Sequence, residues 1–152
     1  MTGSPGVGAE QRATAFLAAH GAGERPHPGG TLLAHLRRTH RLLVAWDAPP
    51  ALALAGLCHA VYGTDGYPLG LVVPARRQAV VDLIGAEAED IVHLYARCDR
   101  ATVAPQLGRR RPVAYRDRLT GATSHLTGAR LRSLAELTVA NELDVLAHHT
   151  GL

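Results

Sequence analysis

The chain contains no lysine: all sixteen of its basic side chains are arginine. With abundant alanine and glycine, that bias reads as the codon usage of a GC-rich genome, not as a nucleic-acid stripe. The formal net charge is only +3, and the one basic cluster, "GRRRP" at Gly108–Pro112, lacks interleaved aromatics and a recognisable reading element. Nucleic acid is therefore not an expected partner. The Arg109–Arg111 stretch is left as a solvated loop, or one that closes over a pocket. Aromatic residues are 4% of the chain, so the core must be built from Leu, Ala and Val. Two cysteines, Cys58 and Cys98, are too few for a disulfide framework and sit in apolar helical contexts, which predicts free core thiols. No apolar run reaches the length of a membrane span. The first residues, "MTGSPGVGAEQ", have neither a basic nor an apolar signal region, which points to the cytosol.

What is present is helical pattern. Residues 1–8 read as a disordered lead, and 9–152 as one domain of a size that buries its own core. A first helix runs from Ala9 to the stop at Gly21 and Gly23. From Thr31 to Trp46, Leu32, Leu33, Leu36, Leu43 and Val44 recur at three- and four-residue steps, with Thr31 as N-cap. Pro50–Tyr62 is apolar nearly all round, as a buried central helix is. Shorter helices are expected after Pro74 and over 86–101, then a long Gly/Pro/Arg-rich loop over 104–127 and a closing helix from Gly128 to His148. The expected class is all-α, with about six helices.

Nine histidines are many for 152 residues. His20, His40, His93, His125, His148 and His149 suit helix faces, helix ends or loops. His27, His35 and His59 stand apart. His35 lies in the first turns of an amphipathic helix, and His27 lies eight residues earlier in a stiff Pro/Gly loop. His59 falls in the most apolar helix, where an unpaired imidazole is costly. The residues alone leave His59 open between a satisfied core histidine and a metal ligand.

The segments "RPHPGGTLLAHL", "LAGLCHAVYGTDG", "LIGAEAEDIVHLYARCDR" and "LTVANELDVL" occur in that order. In order and spacing they resemble the HD-domain superfamily, within it the hydrolase domain of the bifunctional alarmone synthetase/hydrolases. The resemblance implies metal positions at His35 and His59. It also exposes departures: the aspartate after the second histidine is Ala60, the final aspartate is Asn141, and the acidic pair of the hydrolases is Gly63 and Thr64. A site without those carboxylates holds a hard cation less well and lacks groups that activate water, which argues against alarmone hydrolysis. The pattern is more similar still to a group of small HD-like bacterial and fungal domains of unknown function.

That likeness suggests a compensating three-histidine site of His27, His35 and His59, with donors suited to Zn(II) or Fe(II). The expected function is a metalloenzyme acting on a small molecule, in specialised metabolism, by hydrolytic, lyase or oxidative chemistry. A metal-free HD-like domain that binds a nucleotide or other small ligand, or a metal-free enzyme using the same pocket, is the alternative. Tyr62 and Asn141 are candidate catalytic groups, Tyr62 being equally readable as a core tyrosine. Arg25, Thr64, Asp99 and Asp144 are candidate substrate-binding groups, with surface pairing the plain reading of Arg25 and of both aspartates. The oligomeric state stays open, a homo-oligomer included.

Overall fold

A computed structural model describes residues 5–109 and 112–148. The expected lead therefore lies outside the described residues at 1–4, while α1 (Pro5–Ala19) starts earlier than the apolar spacing suggested. Arg110, Arg111 and His149 also lie outside them. The chain continues through β1 (Pro26–His27), β2 (Gly30–Thr31), α2 (Leu32–Ala45), α3 (Pro50–Cys58), α4 (Arg77–Ile84), α5 (Ala86–Ala96), α6 (Arg100–Val103), β3 (Val113–Arg116), β4 (Thr123–Leu126) and α7 (Gly128–His148).

The all-α expectation of about six helices is thus corrected. The described residues form seven helices and two antiparallel two-stranded sheets, a mixed architecture. In the first sheet Pro26 faces Thr31 and His27 faces Gly30, with Gly29 at φ +83° in the two-residue turn. Such a turn needs left-handed backbone, which glycine adopts without steric cost. The second sheet pairs Val113 with Leu126 through to Arg116 with Thr123. It lies inside the stretch expected to be loop. Its only alternation is buried Val113 and Tyr115 on β3, and β4 is exposed except at Leu126. Four residues per strand are too few to set a period against a Gly/Pro/Arg background.

Helix α3 is the centre of the molecule. Every residue from Leu52 to Cys58 is buried, and α3 lies against α1, α2, α5 and α7. It ends sooner than the apolar run implied: His59 is its C-cap, not an interior residue. The break at Gly63 (φ +83°) then folds the loop back, where a Cβ would meet the Pro68 carbonyl at 2.3 Å. Helix α2 follows its 3.6-residue stripe, burying Leu32, Leu36 and Leu43, and Thr31 caps it by accepting from the Ala34 amide at 3.2 Å. Cys58 and Cys98 are free and buried. Among the described residues no helix is long and apolar enough to cross a membrane.

Candidate functional site

Four elements bring polar side chains to one point. The first turn of α2 carries His35 and, three residues on, Arg38, which helical spacing puts on a neighbouring face. The end of α3 carries His59. Asn141 and Asp144 share one face of α7 by the same three-residue step. The β1–β2 hairpin then lays the His27 ring flat on His35, with centroids 4.1 Å apart and planes at 21°.

His35, Asn141, Asp144 and His59 are all buried, and each has a specific partner. His35 Nδ1 lies 2.6 Å from Asp144 Oδ2. The other side of that carboxylate accepts from Arg38 Nε at 2.7 Å. Burial alone would raise the Asp144 pKa, but the hydrogen bonds from Arg38 and His35 outweigh it and hold the carboxyl below its ordinary value. His59 Nδ1 lies 2.7 Å from the Gly56 carbonyl, so the ring takes up one of the orphan acceptors at the helix end. Burial, reinforced by His35, pushes the His59 pKa down to about 3. Burial likewise lowers His27, to about 4. Its Nδ1 is a buried side-chain atom with no hydrogen-bond partner.

The second ring nitrogens of His35 and His59 face each other: His35 Nε2 and His59 Nε2 are 3.3 Å apart, and Asn141 Oδ1 is 2.9 Å from His35 Nε2. The amide orientation is set by its own donor, because Asn141 Nδ2 lies 3.2 Å from Glu142 Oε1. Among the described residues no three His, Cys, Asp or Glu side chains form a metal-holding group; the convergence here is of two imidazoles and a carboxamide. These groups line a cavity of about 280 Å³, together with His27, Thr64, Tyr67 and Arg100. That volume is at the lower edge of small-molecule sites, which span about 300–1,000 Å³.

The other expected site residues are elsewhere or in different roles. Thr64 lines the cavity and its hydroxyl accepts from the Tyr67 amide at 3.1 Å. Tyr62 does not line this cavity: its hydroxyl donates to Glu89 Oε2 at 3.0 Å, beside Arg77. Arg25 spends its guanidinium on the Leu69 and Gly70 carbonyls, at 2.7 and 2.9 Å, pinning the loop after α3. Asp99 caps α6 at Thr102 and pairs with Arg116 at 3.3 Å. Sequence reasoning missed Arg38, Tyr67, Tyr95 and Arg100. Only Arg38 carried a signal, its helical spacing from His35. Tyr67 and Arg100 depend on how the loop after α3 and the start of α6 fold over the cavity, and Tyr95 on how α5 packs against His59.

The family described as a domain of unknown function (DUF6817) matches residues 16–100, more than half of the chain. No curated protein and no solved structure matches it. The matched segment includes His27, His35, His59 and the loop over the cavity, while Asn141 and Asp144 join them from α7. The chain belongs to the DUF6817 family.

Proposed function

We propose that this protein is an HD-like, metal-dependent enzyme acting on a small molecule. The observation that carries the reading is the pair of facing Nε2 atoms. A carbonyl can only accept, so His59 holds its proton on Nδ1 and donates it to Gly56. The ionised Asp144 also accepts, which keeps a proton on His35 Nδ1. With both rings neutral, the bare lone pair of His35 Nε2 faces that of His59 at 3.3 Å and the Asn141 amide oxygen at 2.9 Å. Such an arrangement needs an electrophile among the three.

The donors fit Zn(II) or Fe(II), since neutral imidazoles and an amide oxygen suit borderline ions better than Mg(II). The outer contacts support the same reading: a metal-binding histidine ordinarily donates its other N–H to a carboxylate or carbonyl, as both do here. His35 Nε2, His59 Nε2 and Asn141 Oδ1 would hold the ion, while His27, stacked flat on His35, is not among the converging donors. When bound, the metal supplies a Lewis acid for hydrolytic or lyase chemistry or, as Fe(II), an oxidative centre. The chain's own contribution is orientation: Asp144 and Gly56 fix the two rings, and Thr64 and Tyr67 line the space where substrate sits. The free, buried thiols support a cytosolic setting.

Asp144 supports a second reading. A carboxylate 2.6 Å from His35 stabilises an imidazolium, whose Nε2–H then donates to Asn141 and faces the His59 lone pair. The cavity would then be a metal-free ligand or acid–base site. Elemental analysis of protein purified without a polyhistidine tag separates the two. Stoichiometric Zn or Fe, lost in His35→Ala and His59→Ala variants that remain folded, is expected. Wild-type protein that takes up neither metal would sink the proposal.

A further inference from the structure

The arginines of the chain differ in how their donors are spent. A guanidinium has five N–H donors. Arg38 commits Nε and Nη2 to Asp144, Arg25 commits both terminal nitrogens to backbone carbonyls, and Arg77 is forked onto Glu89. Arg100 lines the cavity itself. Its side-chain hydrogen bond runs from Nη2 to the Tyr95 hydroxyl. Its Nη1 is 3.5 Å from Glu142 Oε1, a long contact to a carboxylate that is half-exposed. Its backbone amide, not its guanidinium, donates to Asp65.

The guanidinium is nonetheless held in place. Its central carbon sits 5.2 Å from the Tyr95 ring centroid, a cation–π contact. The same ring packs edge-on against His59, with centroids 5.3 Å apart. One tyrosine therefore supports both the cation and the histidine. Beneath the guanidinium the chain passes at Gly66, where a Cβ would meet Arg100 Nη1 at 2.8 Å. A cation with unused donors, oriented by a buried ring and left clear by a missing side chain, is built to receive an anion.

Resting on the proposed enzymatic reading, we infer that Arg100 is the anion anchor of this cavity and that its substrate is a small molecule with an oxyanion headgroup, a carboxylate or a phosphate monoester. The headgroup displaces Glu142 from its long contact and takes a forked hydrogen bond from the guanidinium. The histidine cluster then faces the remainder of the molecule. The cavity volume of about 280 Å³ suits a compact metabolite.

The test uses chelator-treated full-length protein, titrated with inorganic phosphate and, separately, with acetate, and read by the histidine ring resonances in NMR. Saturable shifts at His59 are expected with at least one probe, and the tighter of the two identifies the headgroup. Arg100→Gln weakens binding at least about tenfold, equivalent to about 1.4 kcal/mol. Gly66→Ala, which keeps the arginine but pushes its guanidinium aside, weakens it several-fold. Glu142→Gln, by removing the competing carboxylate, tightens it. Arg130→Gln, at a surface pair with Asp90, leaves it unchanged. No saturable binding of either anion, or equal binding by Arg100→Gln, overturns the inference. Metal content measured on the untreated proteins keeps the two ideas separable. Metal-free protein that binds anions through Arg100 sinks only the metal reading; metal-loaded protein indifferent to Arg100 sinks only this one.

Discussion

Glu89 and His35 are equally buried, each with 1% of its surface exposed, yet their surroundings are finished differently. Both Glu89 oxygens are occupied by the Arg77 fork, and Oε2 also accepts from Tyr62. Donors and acceptors match, so the cluster ties α4 and α5 to the chain after α3 and asks for nothing more. Around His35 the outer contacts are just as complete, through Asp144, Arg38 and the His59–Gly56 bond. The inner ones are not: two ring nitrogens and an amide oxygen converge, and His27 Nδ1 has no partner. Folding that satisfies the periphery of a polar cluster and leaves its centre to a ligand is the difference between a strut and a site.

The sharpest way to break this comparison is to damage the strut. Arg77→Ala strands the buried Glu89 carboxylate; because Arg77 is itself 45% exposed, the loss is less than for a fully buried pair, about 2–3 kcal/mol. Urea denaturation should show that loss, while metal content per folded protein is unchanged. Loss of metal in this variant would mean the two clusters are not independent.

Acid distinguishes them next. The folded protein holds His59 at a pKa of about 3, against an ordinary value of 6.5. Above pH 6.5 the ring is neutral in folded and unfolded chains alike and contributes no pH dependence. Below that, the unfolded chain takes up a proton that the folded one refuses. Stability of the metal-free protein should therefore fall with pH, by up to about 1.4 kcal/mol per pH unit for this group, until the folded value is reached. His27 acts in the same direction. Unfolding midpoints at neutral pH and at about pH 4.5 measure the slope, and His59→Gln should flatten it. An unchanged slope in that variant would remove His59 from the account.

Asp144→Asn tests the orientation of His35. The amide oxygen still accepts from Nδ1, but the charge is gone, and such outer-contact changes weaken metal binding by about 10–100-fold. Competition with a chelator reads the affinity. The smallest effect belongs to Tyr62→Phe, which removes one hydrogen bond to the Glu89 carboxylate and should cost about 1.5 kcal/mol. Ligand binding in the cavity should not change. A large loss of binding would return Tyr62 to the site.

Much of the helical frame was legible because it rests on local rules. The apolar stripe of α2, the Thr31 cap, the all-round apolarity of α3 and the course of α7 each lie within one segment. The hairpins were not legible, since β4 is mostly exposed and neither pair is long enough to show alternation. At the site, the resemblance singled out His27, His35, His59 and Asn141, and these do meet around one cavity. Thr64, expected as a pocket group, does line the cavity, but Tyr62 does not: the loop turns at Gly63 and brings the unexpected Tyr67 there instead. Asp144 was a candidate substrate-binding group with surface pairing as its plain reading; it is buried and holds His35.

The sequence by itself determined where most of the helices lie, though not their ends, that the two thiols are unpaired, and which histidines are out of place on an ordinary surface. Residue type and spacing carry that information, because helix periodicity and burial cost act over a few residues. Only the tertiary structure decided what those histidines touch. His35 and Asp144 are 109 residues apart in the chain, and no spacing rule reaches that far. The packing of α7 across α2 and α3 supplies the carboxylate behind His35 and the amide before it. The start of α6 supplies Arg100, whose role depends on a tyrosine from α5 and a glycine from a loop.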